Sequence, residues 1–297
     1  MLSKPFRPIG SLFLSATALL VASPARADEV IVYQNGFESA DTCAWAATVP
    51  AATCDPEMVF VPAGDFKMGS DWNPTDFPNE LPIHTVTLSA YWIDRNDVTM
   101  DEYAACVTAS GCPVPVYSYL DNSECNWGSP RGGSNPINCV DWQQGETYCT
   151  WAGKRYPTEA EWEKAARGEN QPEPTYPWGE AAPTCNYAVM DDPKTGFEGC
   201  GLNATGPVGS KPAGSSPYGA LDMAGDVWDW VNDWFSPTYY SVSPATDPPG
   251  PATGTSRVLR GGSWSSTGGA DLRSSMRISN APNQASYGFG FRCAKND

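Results

Sequence analysis

The chain has 297 residues, with 34 Asp and Glu against 18 Lys and Arg, a single His and a formal net charge of −16. Such a surface repels nucleic acid and anionic lipid and suits solubility, divalent cations or a basic partner, with plain solvation accounting for most of the charge. Ten cysteines without any Cys-x-x-Cys argue against a thioredoxin-like motif or a zinc ribbon and point to disulfides.

Residues 1–27 read as a secretory signal peptide. Lys4 and Arg7 precede the apolar run from Leu12 to Ala22, and Ala25-Arg26-Ala27 is a small-x-small cleavage site. That run is too short to span a bilayer, and no other stretch approaches about 20 consecutive apolar residues. The expectation is an exported protein, periplasmic or extracellular, without a membrane span. Residues 28–55 read as an N-terminal strand, Val30 to Tyr33, and a tether. From 56 to 297 the texture is uniform, rich in Gly, Pro, Trp and Tyr, and compatible with one domain.

Within that domain Met58 to Val61, His84 to Leu88 and Tyr91 to Asp94 read as short strands. Thr99 lies three residues ahead of Glu102, a capping-box spacing that predicts a helix running to Val107. A second helix is predicted from Gln143 to Trp151, ending at Gly153. Thr158 and Glu161 repeat the box and start a third helix to Arg167, with Gly168 as its stop. Ser243 to Pro251 is Pro-rich and reads as a surface loop, and Arg257 to Arg260 is one more strand. Most of the remainder is turn and loop, so rigidity must come from disulfides, buried aromatics or bound metal. Cysteine spacing suggests local pairs, Cys43 with Cys54, Cys106 with Cys112, Cys125 with Cys139 and Cys185 with Cys200, although spacing alone leaves the connectivity open.

Three blocks carry a resemblance. The first is Pro136-Ile-Asn-Cys-Val-Asp-Trp142 with Tyr148-Cys-Thr-Trp-Ala-Gly-Lys-Arg155 and Pro157-Thr-Glu-Ala-Glu-Trp-Glu163. The second is Tyr218-Gly-Ala-Leu-Asp-Met-Ala-Gly-Asp-Val-Trp-Asp-Trp230. The third is Arg260-Gly-Gly-Ser-Trp264, Leu272-Arg-Ser274 and Gly290-Phe-Arg-Cys293, with Phe60 to Gly69 and Val98-Thr99 fitting as an opening. In this order they resemble the formylglycine-generating enzyme, or sulfatase-modifying factor, family over about residues 56–297. The resemblance implies an α+β, irregular, loop-rich C-type-lectin-like domain stapled by disulfides. It implies a staple between Cys149 and Cys293. A second family staple would need cysteines near Ala166 and Ser274, and neither is present.

The family's oxidases hold copper on two cysteines between the Arg-Gly-Gly-Ser motif and the Leu-Arg-Ser segment. Here Ser265-Ser-Thr-Gly-Gly-Ala-Asp271 stands in that place without a thiol, and hydroxyls do not replace Cu(I) thiolates. Copper and oxidase activity are therefore not expected. Calcium is: the resemblance implies ligands at Asp222, Gly225, Val227 and Asp229, hard oxygens suited to Ca2+. A second calcium site would begin at Asn186 and Tyr187, with its other ligands in the divergent stretch from Asp191 to Asn203. His84 sits at a strand-like position where a structural role is expected.

Two functional readings follow. In one, the chain binds a protein, peptide or glycan through variable loops, with Trp264, Ser265, Ser266, Thr267, Asn280, Asn283 and Tyr287 as the face. In the other, it is a family enzyme that modifies an exported peptide or small molecule, with Asp222, Asp229, Arg273, Arg277 and Arg292 supplying charge. Acids and arginines alone define no mechanism.

Overall fold

Each helix begins where its cap dictates. In the computed structural model, which describes residues 57–297 apart from 170–173, 193, 195 and 268, α1 (Met100–Thr108) is opened by the Thr99 hydroxyl accepting from the Glu102 N–H. The Glu102 carboxylate returns the bond to Thr99 N at 2.7 Å. Helix α2 (Trp142–Trp151) starts one residue earlier than expected, because Asp141 and Gln144 form a further capping box. Helix α3 (Glu159–Arg167) uses Thr158 and Glu161 and ends at Gly168, whose φ of 77° suits glycine. The expected signal peptide (1–27), the strand and tether (28–55) and the Cys43 with Cys54 pair lie outside the described residues.

Four strands fall at their expected positions: β1 (Met58–Val61), β3 (His84–Leu88), β4 (Tyr91–Asp94) and β6 (Arg257–Arg260). Five others were not anticipated: β2 (Gly64–Met68), β5 (Trp228–Trp234), β7 (Arg277–Asn280), β8 (Phe289–Phe291) and β9 (Ala294–Asn296). The reason is plainest in β5, where Asp229 and Asp233 are buried. Charged residues on an interior face break the alternation by which strands are read.

The sheets explain why the C-terminus is central to the domain. The orders are β1-β4-β9, β2-β3 and β7-β6-β5-β8. Strand β9 adds to β4 in antiparallel register, Ile93 opposite Ala294, while β8 runs parallel to β5 with Asp229 opposite Gly290. A short C-terminal segment thus closes two sheets. Cys149–Cys293 fixes it to α2 across 144 residues, and Cys106–Cys112, Cys125–Cys139 and Cys185–Cys200 close local loops. Trp230, Tyr103, Tyr148 and Phe291 pack around the long-range staple. The Pro-rich loop docks on β3, with Thr87 N–H donating to Ala245 O at 2.7 Å and Ser89 N–H to Asp247 at 2.7 Å. Among the described residues no helix is long and apolar enough to cross a membrane.

Helix α3 is buried at all nine positions, including its charges. Glu159 takes both arms of Arg277, each at 2.7 Å. Glu163 takes Arg260 at 2.5 Å and Arg167 at 2.8 Å. Arg273 grips Glu80 bidentately at 2.6 and 2.7 Å. Arg273 and Arg277, two of the arginines expected to supply charge, are thus engaged in buried ion pairs.

Two outcomes follow. Breaking a buried pair strands its partner, so Glu159→Gln should cost about 3–5 kcal/mol in denaturant unfolding, while the double change Glu159→Met with Arg277→Met should cost less than either alone; additive losses would refute this. Burial, reinforced by Glu159, pushes the Asp233 carboxyl up to about 8. The folded state then keeps a proton that the unfolded chain releases near pH ~4. This stabilisation is complete below that pH and lost as pH rises through about 8. Asp233→Asn should accordingly flatten the fall of melting temperature between pH 5 and 8, and an unchanged slope would count against the assignment.

Candidate functional site

The Asp222–Asp229 turn owes its shape to backbone that few residues adopt. Asp222, Gly225 and Asp226 have φ of 57°, 80° and 59°, and a Cβ at Gly225 would stand 2.3 Å from the Val189 carbonyl oxygen. Only glycine fits there. The turn is fastened by Gly225 N–H to Gly261 O and Asp226 N–H to Val189 O, both 2.9 Å.

Arg292 is its hub. The guanidinium is wholly buried and donates from Nε to Asp229 Oδ2 at 2.7 Å, from Nη1 to Leu221 O at 2.9 Å, and from Nη2 to Asp222 O at 3.0 Å and to Asp97 Oδ1. Trp162 Nε1 adds a second donor to Asp229 Oδ2 at 2.8 Å. Asp222 Oδ2 accepts from Gly209 N–H at 2.7 Å, and Asp226 Oδ1 from Gly206 N–H at 2.9 Å.

Charge here does not balance. Asp97, Asp222, Asp226 and Asp229 are all buried. Arg292 pairs with Asp97 and Asp229, and no ion pair is formed by Asp222 or Asp226 among the described contacts. Asp97 Oδ2, Asp226 Oδ2, Asp229 Oδ1 and the nearby Asn96 Oδ1 are shielded from solvent and accept no hydrogen bond. Burial pushes Asp222 up to about 6. It lifts Asp226 and Asp97 well above the usual carboxylate range, with Asp222 adding to the first and Asp229 to the second. Buried oxygens of this kind call for a proton or a cation. The donor set, carboxylates with the carbonyls of Gly225 and Val227, has the chemistry that calcium takes. Among the described residues no three acidic, His or Cys side chains already converge as a metal cluster, so carbonyls would have to contribute.

The segment from Asn186 is arranged differently. Asn186 is exposed, and Tyr187 stacks on Trp178 with centroids 5.0 Å apart. Asp191 N–H bonds Ser266 O, tying the following stretch to the 263–267 loop. His84 opens β3, with Nδ1 2.9 Å from Pro82 O and its ring 4.9 Å from Tyr240.

The expected loop face is corrected in part. Trp264 is only 1% exposed, its Nε1 donating to Tyr287 O, and Ser266 is buried with its Oγ accepting from Ser263 N–H. Both are inside because they fold the 263–267 loop onto its neighbours. Thr267, Asn283 and Tyr287 do reach the surface, and Ser265 and Asn280 are half-buried. Tyr287 lines an open pocket of about 410 Å3 with Tyr117, Asp121, Asn122, Cys139, Ala285 and Ser286. Two Ser118 hydrogen bonds hold the Asp121 carboxyl below its usual range.

The pocket wall is rigid. Asn138 donates to Tyr287 O at 2.7 Å and to Glu124 O at 2.9 Å, and Cys139 N–H donates to Ser286 O at 3.0 Å. Beside it Val114, Val116 and Leu120 are exposed, Leu120 by 93%. Phe197 and Leu202 are also exposed, on a loop joined to Trp264 by Gly199 N–H to Trp264 O at 3.0 Å. The sequence reading missed Tyr117, Asp121 and Asn122. Their signal was a short apolar and aromatic run between two disulfide cysteines.

A family model described as "Sulfatase-modifying factor enzyme 1-like domain" matches residues 46–297. A formylglycine-generating enzyme of Streptomyces coelicolor is 36% identical over 84% of this chain and 96% of its own. The structure of PvdO from Pseudomonas aeruginosa matches with a TM-score of 0.66 and 29% identity, covering 81% of this chain and 94% of that one. Treponema denticola variable protein 1 shares the fold at a TM-score of 0.62 and 23% identity, over 81% and 95% of the two chains.

Proposed function

Because the chain belongs to the sulfatase-modifying factor enzyme 1-like family, we propose that it is an exported, non-oxidase member that captures a peptide segment of a partner protein on its loops. The observation that carries this reading is the pocket of about 410 Å3 lined by Tyr117 and Tyr287, with the exposed Val116 and Leu120 adjoining Tyr117 and Asp121 in the chain. Aromatic and aliphatic side chains held on a disulfide-braced wall suit the side chains of an extended peptide. The non-oxidase reading is supported by the donor chemistry of the 263–267 loop. It offers the hydroxyls of Ser263, Ser265, Ser266 and Thr267, and the eight cysteines described are all in disulfides. These do not fit Cu(I). Export is supported by the signal-type segment at 1–27 and by the disulfides.

Calcium is part of the same proposal. Asp222, the Gly225 and Val227 carbonyls and Asp229 would hold it, and its contribution would be to neutralise buried carboxylates. This chain's own residues shape the turn and position the surrounding loops.

Tyr117→Ala or Tyr287→Ala should weaken capture of a partner selected from peptide arrays by about tenfold or more, with an unchanged melting temperature. Glycan arrays run in parallel serve as the competing arm, and selective glycan capture would replace the peptide reading. Incubation with copper and a sulfatase-type cysteine peptide should yield no aldehyde; efficient conversion would overturn the non-oxidase reading.

A further inference from the structure

The lining of the Tyr117 and Tyr287 pocket comes from two segments far apart in the chain, 117–122 and 285–287, together with Cys139. The residue before that cysteine joins the two sides. Asn138 is fully buried, so it meets no ligand itself. Its Nδ2 carries two protons and gives one to each side, to Glu124 O at 2.9 Å and to Tyr287 O at 2.7 Å. Its Oδ1 accepts from Asn126 N–H at 2.6 Å. The 118–122 turn hangs from the same segment, with Glu124 N–H donating to Asn122 Oδ1 at 3.0 Å and Cys125 N–H to Asn122 O at 2.9 Å.

We propose that Asn138 is the positioning residue of this pocket, and that Thr205, which does not line it, holds Asn138 in place through Asn126. The inference rests on the peptide-capture reading and adds to it the residues that fix the pocket's width. Asn126 is the link. Its N–H bonds Asn138, and its Nδ2 donates to Pro136 O at 2.8 Å and to the Thr205 hydroxyl at 2.7 Å. Asn135 Nδ2 donates to the same hydroxyl at 3.1 Å and to Thr205 O at 3.0 Å. Asn126, Asn135, Asn138 and Thr205 are all buried. Water does not replace a partner lost there, so the loss of one bond displaces the next residue in the network.

The disulfide does not make this network redundant. Cys125–Cys139 joins the 117–125 side to Cys139, whereas the 285–287 side is held by Cys139 N–H to Ser286 O at 3.0 Å and by Asn138 Nδ2 to Tyr287 O. Trp264 Nε1 also donates to the Tyr287 carbonyl, but at 3.3 Å against 2.7 Å for Asn138. Tyr287 is therefore the wall that shifts when Asn138 is changed. Thr205 acts at a greater remove, from a loop that Gly206 and Gly209 fasten to Asp226 and Asp222.

The probe is the synthetic peptide that the full chain binds most strongly on the arrays used for the Tyr117 and Tyr287 variants. Asn138→Ala removes both donors, and Thr205→Val keeps the side-chain shape without the hydroxyl. Each is made in the wild-type chain and in Tyr287→Ala, and peptide affinity and melting temperature are read for all. In the wild-type chain Asn138→Ala should weaken capture about tenfold and Thr205→Val about threefold. In Tyr287→Ala, where the ring that Asn138 positions is gone, neither should weaken it further, while any loss of melting temperature should be the same in both backgrounds. Thr205→Val decides the matter if Asn138→Ala does not fold. Undiminished capture by the folded variants, or losses that add to that of Tyr287→Ala, would overturn this inference and leave the pocket reading intact. Wild-type capture by Tyr117→Ala and Tyr287→Ala, or an array on which no peptide binds, would overturn the pocket reading and this inference with it.

Discussion

The structure depends on arginine–carboxylate pairs buried between helix α3, the N-terminal segments and the C-terminal block. Arg260 reaches Glu163 across 97 residues, Arg277 reaches Glu159 across 118, and Arg273 reaches Glu80 across 193. Such pairs add little net stability, because the desolvation of two ions offsets most of their attraction. What they impose is arrangement. A fold that misplaced one strand of the C-terminal block would leave a charge in the core without a partner, so the interactions that position α3 also position β6, β7 and the loop between them.

The same chemistry reaches different balances in two places. Around α3 the acids and bases nearly match, and the excess carboxyl, Asp233, retains a proton, its affinity raised to about 8. Around Arg292 two carboxylates, Asp97 and Asp229, share one guanidinium, Asp222 and Asp226 form no ion pair among the described contacts, and several oxygens lack donors. A proton is a sufficient answer for one buried acid. Several together would need further protons or a bound cation.

Low content of regular structure is compensated by closure at long range. The nine residues from Phe289 to Asp297 contribute to two sheets, one disulfide and the Arg292 hub. Loops are free to vary where they do not take part in this closure. That is where the pocket lies, on the 113–122 and 283–287 segments, with a rigid asparagine and disulfide wall beneath it.

The three helices were legible because Thr99, Thr158 and the glycines after Trp151 and Arg167 act on their immediate neighbours. Four strands were legible from β-branched and aromatic runs. The family was legible because its blocks are contiguous in the chain. Strand β5 was not, since its buried aspartates are tolerable only beside Arg292 and the N-terminus of α3, which lie far away in sequence. Nor was the interior position of Trp264, or the pairing of Asp97 with Arg292. Local sequence determines what satisfies the nearest backbone, whereas the fate of a buried charge is decided by partners that only the closed tertiary structure brings within reach, because desolvation makes an ion acceptable only where its counter-charge already is.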